Sequence, residues 1–219
     1  MLRALDGDLW VAERPYSLLG VRTTVVRLSD GGLFVHCPIA LGDGLQTELQ
    51  ALGPVRHLVA ANKMHYLFLA ENLAAFPDAQ LHLSPGLAEK RPKLPPGQPL
   101  GEGTPPWEAD LEQQFVAGWP FLNETVFFHR KSRTLLITDI AFNVRAVPSA
   151  AKRLLLRMLR AYGRFGPSRI ARLSLRDRVA VRRSIEAVLA WDFDRITVTH
   201  GDVVEKNGRA LLREAYAFL

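Results

Sequence analysis

The sequence predicts two β-sheets packed face to face and flanked by helices, an α+β fold with the four layers αββα. Two features of its organisation predict this. The first third alternates strand and helix after an initial hairpin. Beyond a proline-rich interruption, a second hairpin is followed by further helices and a strand, so the plan is repeated. A third observation locates a site. Three short, mostly apolar runs end in groups that bind metals or move protons: His57-Leu-Val-Ala-Ala-Asn-Lys-Met-His65, Thr134-Leu-Leu-Ile-Thr-Asp139 and Arg195-Ile-Thr-Val-Thr-His200. Chemistry in open α/β sheets collects at the carboxyl ends of strands, so His65, Asp139 and His200 predict one shared site.

Taken in order, Asp8 to Glu13 reads as a first strand and Arg22 to Leu28, rich in β-branched residues, as a second. Ser29-Asp-Gly-Gly32 is a turn signal, and Leu33 to His36 returns as the partner strand before Cys37-Pro38 ends it. Gly42 to Leu52 carries Leu45, Leu49 and Leu52 at helical spacing and stops at Gly53-Pro54. A strand over 55–60 follows, then a helix predicted from Met64 to Phe76 and a strand from Ala79 to Leu83. Pro85 to Pro106 holds seven prolines and four glycines, which predicts a long surface loop within one domain spanning 1–219. Phe115 to Gly118 is predicted as a short strand. Glu124 to His129 and Thr134 to Thr138 form the second hairpin around Arg130-Lys-Ser-Arg133. Helices are then predicted over 150–162 and 174–191, the latter capped by Ser174, with a last strand over 195–199 and a closing helix over 208–219.

Composition narrows the function classes. A single cysteine, Cys37, excludes an internal disulfide. The opening residues place acids where a signal peptide needs an apolar core, and no apolar run approaches the ~20 residues that span a bilayer. The expectation is a soluble, cytoplasmic protein that does not act in a membrane. The net charge of +6 is unevenly spread: Lys152 to Arg183 holds eleven basic residues and one acid, leaving 17 basic and 21 acidic residues elsewhere, a net of −4. Within the basic segment Arg153, Arg157, Arg160 and Arg164 fall at three- and four-residue spacings on one predicted helical face. Arg153, Arg157 and Arg160 are thus candidate contacts for an anionic ligand. A solvated face is the plainer reading, and nucleic acid ranks lower because interleaved aromatics are absent.

The words His57 to His65, Phe76-Pro-Asp-Ala, Asn123 to His129, Ser132 to Asp139 and Thr199-His-Gly-Asp202, in this order of elements, resemble the metallo-β-lactamase-fold superfamily. Within it they are similar to the branch described as domain of unknown function 4336. The resemblance spans nearly the whole chain and implies the αββα fold of that superfamily. It also implies a ligand word of the form His-x-His-x-Asp-His, of which only His65 remains: Ala60, Asn62 and Met64 occupy the other positions. The family's aspartate after the first hairpin falls on His36, and its Gly-His ahead of the second hairpin on Gly118-Trp119. Its bridging aspartate matches Asp139, and its last histidine matches His200.

This pattern implies a depleted site. Met64 cannot supply the carboxylate of a second metal, so the resemblance implies at most one zinc, iron or manganese ion on His65, Asp139 and His200, with Asn62 as a further ligand or an orienting group. The plainer alternative is a metal-free hydrogen-bonded network. If active, the site would hydrolyse an ester, thioester or phosphoester of a small, anionic substrate, with Asp139, His200 and Glu124 as catalytic candidates and Glu124 as general base. The rival class is a non-catalytic binding protein for an anionic ligand. His36, His57 and His82 read as structural or solvated, His129 as a hairpin end, and Cys37 as a buried apolar cysteine.

Overall fold

The structure, a computed structural model, describes residues 1–16 and 19–219, and its strands pair into two sheets. In the larger sheet β1 (Arg3–Asp6), β2 (Leu9–Arg14), β3 (Val21–Arg27), β4 (Leu33–His36), β5 (Val55–Ala60), β6 (Gln80–Leu83) and β7 (Gln98–Pro99) lie side by side in chain order. The first four pair antiparallel; β4 to β7 run parallel, joined through α1 (Gly42–Leu52), α2 (Leu69–Ala75) and the short α3 (Leu87–Lys90). The smaller sheet has the order β11 (Arg195–Val198), β10 (Thr134–Ile137), β9 (Thr125–His129), β8 (Leu111–Phe115). Its β10–β11 crossover contains α4 (Ala150–Met158), α5 (Arg169–Leu173) and α6 (Arg178–Leu189), and α7 (Gly208–Tyr216) follows β11.

Side-chain alternation along the strands makes the layers. On β4, Leu33 and Val35 pack with Leu45, Leu49 and Leu69 on the helical side, while Phe34 turns to the other sheet. On β10, Leu135 and Ile137 meet Val181, Ile185 and Leu212, and Leu136 turns inward. The inner faces meet around Phe34, Trp107 and Phe127, whose rings pack edge to face. Helix, sheet, sheet, helix is the order through the molecule, as the alternation of elements predicts. Among the described residues no helix is long and apolar enough to cross a membrane.

Several predicted boundaries move. The helix expected from Met64 begins only at Leu69, because the Asn62 side-chain oxygen accepts the amides of Met64 and His65 and holds that stretch as a loop. The strand expected over 115–118 is β8, displaced upstream: Phe115 pairs with Thr125, and Gly118 then turns the chain at φ +80°. The 174–191 helix starts at Arg178, capped by Asp177 rather than Ser174; Ser174 instead ends α5 and accepts the Trp119 indole N–H. The proline-rich stretch contains α3 and β7. Both β1 and α5 lack any strong sequence signal.

Helix α4 stops at Met158 instead of continuing to 162. Ala161 N–H reaches the Leu156 carbonyl and Arg160 N–H the Arg157 carbonyl, a Schellman closure with Arg160 in the left-handed conformation at φ +54°. Leu156 and Ala161 supply its apolar contact. The predicted arginine stripe is therefore interrupted: Arg153 and Arg157 stay on α4, and Arg160 leaves the helical face.

Candidate metal centre

Backbone hydrogen bonds stitch the two sheets together where the predicted site residues lie. Thr125 N–H donates to the Ala61 carbonyl at 2.8 Å, Lys63 N–H to Leu122 at 2.9 Å, and Arg22 N–H to Thr199 at 2.9 Å. The buried Arg22 guanidinium also reaches the Val198 carbonyl at 2.7 Å. Three chain segments thereby converge: the loop after β5 with His65, the turn after β10 with Asp139, and the end of β11 with His200.

His65 Nε2 lies 3.1 Å from Asp139 Oδ2, and His200 Nε2 lies 3.4 Å from Asp139 Oδ1. One ligand atom from each of the three residues falls within 4.8 Å of the other two. Asn62 donates from Nδ2 to Asp139 at 2.8 Å, Thr138 Oγ1 at 2.8 Å and Glu124 at 3.1 Å, so it orients the carboxylate from below. Glu124 is fully buried. Its oxygens accept the amides of Thr138, Asp139 and Ile140 at 2.7, 2.8 and 3.2 Å, so it fixes the turn that presents Asp139 and does not face the cleft. The general-base position expected for it is thus not where the fold puts it. Burial, then the charge of Asp139, pushes Glu124 up to about 7, against the pull of these donors.

Electrostatics separates the two histidines. Burial alone would lower His65, but the charge and hydrogen bond of Asp139 outweigh it, and its pKa rises. Burial would raise Asp139, but His65, His200 and Asn62 hold it well below the usual carboxylate range. Burial lowers His200, and the like charge of His65 adds to that. His200 Nδ1 lies 2.7 Å from the Gly20 carbonyl, which can only accept, so Nδ1 carries a proton and, in the neutral ring, Nε2 has the lone pair. That lone pair faces a carboxylate oxygen. Only a cation between them, proton or metal, makes the contact favourable, and the donor set of two imidazoles and one carboxylate suits zinc, iron or manganese.

Position 201 must be glycine for this to form. Gly201 has φ +102°, and a Cβ there would lie 2.3 Å from the Asn143 backbone. Asn143 N–H bonds the His200 carbonyl, and its side chain bonds Asp202 O at 2.8 Å, latching the end of β11 to the chain beyond β10. The remaining sequence candidates lie elsewhere. His57 and His82 pair at 3.1 Å between the sheets beside Trp107, and His129 bonds Ser132 at the far end of β9. Burial, then the charge of His65, pushes His36 down to about 3. Burial likewise pushes the Cys37 thiol well up, so it is a poor nucleophile. The Arg157 guanidinium packs over Tyr162, 5.4 Å from the ring centre.

Above the triad opens a cleft of about 330 Å³ with His65, Asp139 and His200 at its floor. Its walls are mostly apolar, including Tyr16, Tyr66, Phe68, Phe121, Phe142 and Ile170, and no described lysine or arginine lines it. Sequence reasoning missed these walls, the Gly20 carbonyl and Thr138. The wall residues named come from five separated segments, and no local pattern joins them.

Comparison with known proteins accords with this fold. No curated protein matches the chain. A metallo-beta-lactamase from Pontibacter korlensis is 14% identical and superposes with a TM-score of 0.65, covering 99% of this chain and 97% of its own. The metal-soaked Flv1 flavodiiron core from Synechocystis sp. PCC6803 is 10% identical with a TM-score of 0.66, covering 100% of this chain and 60% of its own. A metallo-beta-lactamase family protein from Thermus thermophilus is 13% identical with a TM-score of 0.62, covering 98% and 80%. At such identities the likeness concerns the fold. The family profile described as Domain of unknown function (DUF4336) matches residues 7–164, which include His65 and Asp139 but stop short of His200. The chain belongs to the DUF4336 family and folds as a metallo-β-lactamase-like αββα sandwich.

Proposed function

We propose that this protein is a mononuclear metal-dependent hydrolase of a carboxylic ester or thioester with an apolar acyl portion. The observation that carries this reading is the His65–Asp139–His200 cluster at the floor of an apolar cleft, with the Gly20 carbonyl fixing the proton of His200 on Nδ1 so that Nε2 is the nitrogen turned to the cluster. One zinc, iron or manganese ion held by these three side chains would supply Lewis acidity and an activated water. The chain's own groups do the rest. Asn62 and the Glu124-bound turn fix Asp139, and Gly20 fixes the His200 tautomer. The cleft walls exclude water and orient an apolar group. The apolar walls of the cleft, Tyr66, Phe68, Phe121 and Phe142 among them, favour a substrate with an apolar portion. With Met64 where a second carboxylate would be required, the site is built for one ion.

Metal analysis of protein purified without chelator tests this. About one ion per chain is expected, with loss of most of it in Asp139→Ala and in His200→Ala. A metal content that neither substitution alters would leave a hydrogen-bonded network without the hydrolytic role.

A further inference from the structure

The basic segment builds a second site that the helical stripe does not describe. Arg160, Arg169, Arg172 and Arg178 surround a pocket of about 340 Å³ whose apolar floor is Phe218. The Arg172 guanidinium lies 3.6 Å from the Phe218 ring centre and that of Arg178 lies 5.5 Å from it; Arg178 also donates to the Phe218 carbonyl. The ring thus packs against two guanidinium groups.

Charge at this pocket is uncompensated. Among the described residues none of these four arginines, nor the nearby Arg164, forms an ion pair, and of the five only Arg178 donates a side-chain hydrogen bond. Burial lowers the pKa of Arg172, and the like charges of Arg160, Arg164 and Arg178 lower it further. Converging guanidinium groups repel one another, and an anion between them removes that repulsion and accepts bidentate hydrogen bonds. One phosphate cannot engage four forks, and the volume admits several linked phosphates.

We infer that this pocket binds the linked phosphates of a di- or triphosphate group. The inference is independent of any metal at the cleft. The two sites share a wall, since Ile170 and Ala171 of α5 line the cleft while Arg169 and Arg172 line this pocket.

Titration calorimetry of the full chain with inorganic tripolyphosphate, adenosine triphosphate, orthophosphate and a single-stranded oligonucleotide tests it. Tripolyphosphate and adenosine triphosphate are expected to bind one per chain, and their relative affinity tells a free polyphosphate from an organic one. Arg172→Glu and the exposed Arg169→Glu are each expected to weaken binding about tenfold or more, and Arg213→Glu, a charge-matched change on α7, less than about twofold. Because Arg172 packs on Phe218, Arg169→Glu carries the test should Arg172→Glu unfold. Equal losses in Arg169→Glu and Arg213→Glu would overturn the site. So would orthophosphate binding as tightly as tripolyphosphate, or an oligonucleotide binding more tightly than either.

Discussion

At the residue scale, Asn62 acts on the candidate site by hydrogen bonding. Its oxygen shapes the His65 loop, and its amide nitrogen holds Asp139, Thr138 and Glu124 together. The His65–Asp139 pair then sets a pH window. His65 has a folded pKa above its ordinary 6.5, so its contribution is full below that value and is lost as pH rises through the folded one. Asp139 is depressed from 3.8, so its contribution is present above that value and is lost as pH falls through the folded one. A metal ion must displace the His65 proton. Apparent metal affinity is therefore expected to rise by up to about tenfold per pH unit until His65 is neutral, then level off. Metal titrations between about pH 5.5 and 9 check this, and a flat profile would show that His65 is not a ligand.

At the element scale, the loops and caps decide where side chains point. The end of β11 can pass Asn143 only with glycine at position 201. Gly201→Ala is expected to destabilise the protein by about 2–3 kcal/mol and to weaken metal binding with it, measured by urea unfolding and metal content on the same samples. The Schellman end of α4 makes the opposite case. Arg160 sits at φ +54°, where a side chain is strained, so Arg160→Gly is expected to stabilise by roughly 0.5–1 kcal/mol while weakening tripolyphosphate binding. Opposite signs in the melt and in the calorimeter would separate the two roles of that residue. Periodicity placed the strands and the long helices well, because burial on one face repeats along them. It did not show β1, whose residues are mostly exposed, or α5, a single turn of helix. Nor could it show that the Asn62 side chain would postpone α2.

At the scale of the molecule, the inter-sheet layer holds the site together, since each sheet supplies part of it. Phe127 is fully buried between Phe34, Trp107 and His36. Phe127→Ala is expected to cost about 3–5 kcal/mol and to loosen both halves of the candidate metal centre at once. The check is denaturant unfolding followed by both tryptophan fluorescence and metal release. If the metal stayed bound through the fluorescence transition, the sheets would not be coupled in this way. The sequence by itself determined the two-sheet, helix-flanked plan and the strand-end residues His65, Asp139 and His200, because hydrophobic period and chain punctuation are local properties. Only the tertiary structure decided that Glu124 is bound by backbone amides rather than facing the cleft, that Gly20 sets the His200 tautomer, and that Arg160 turns from its helix to meet Arg169, Arg172 and Arg178. These are contacts between residues far apart in the chain. They form only once burial has brought the sheets and helices together, so no local pattern encodes them.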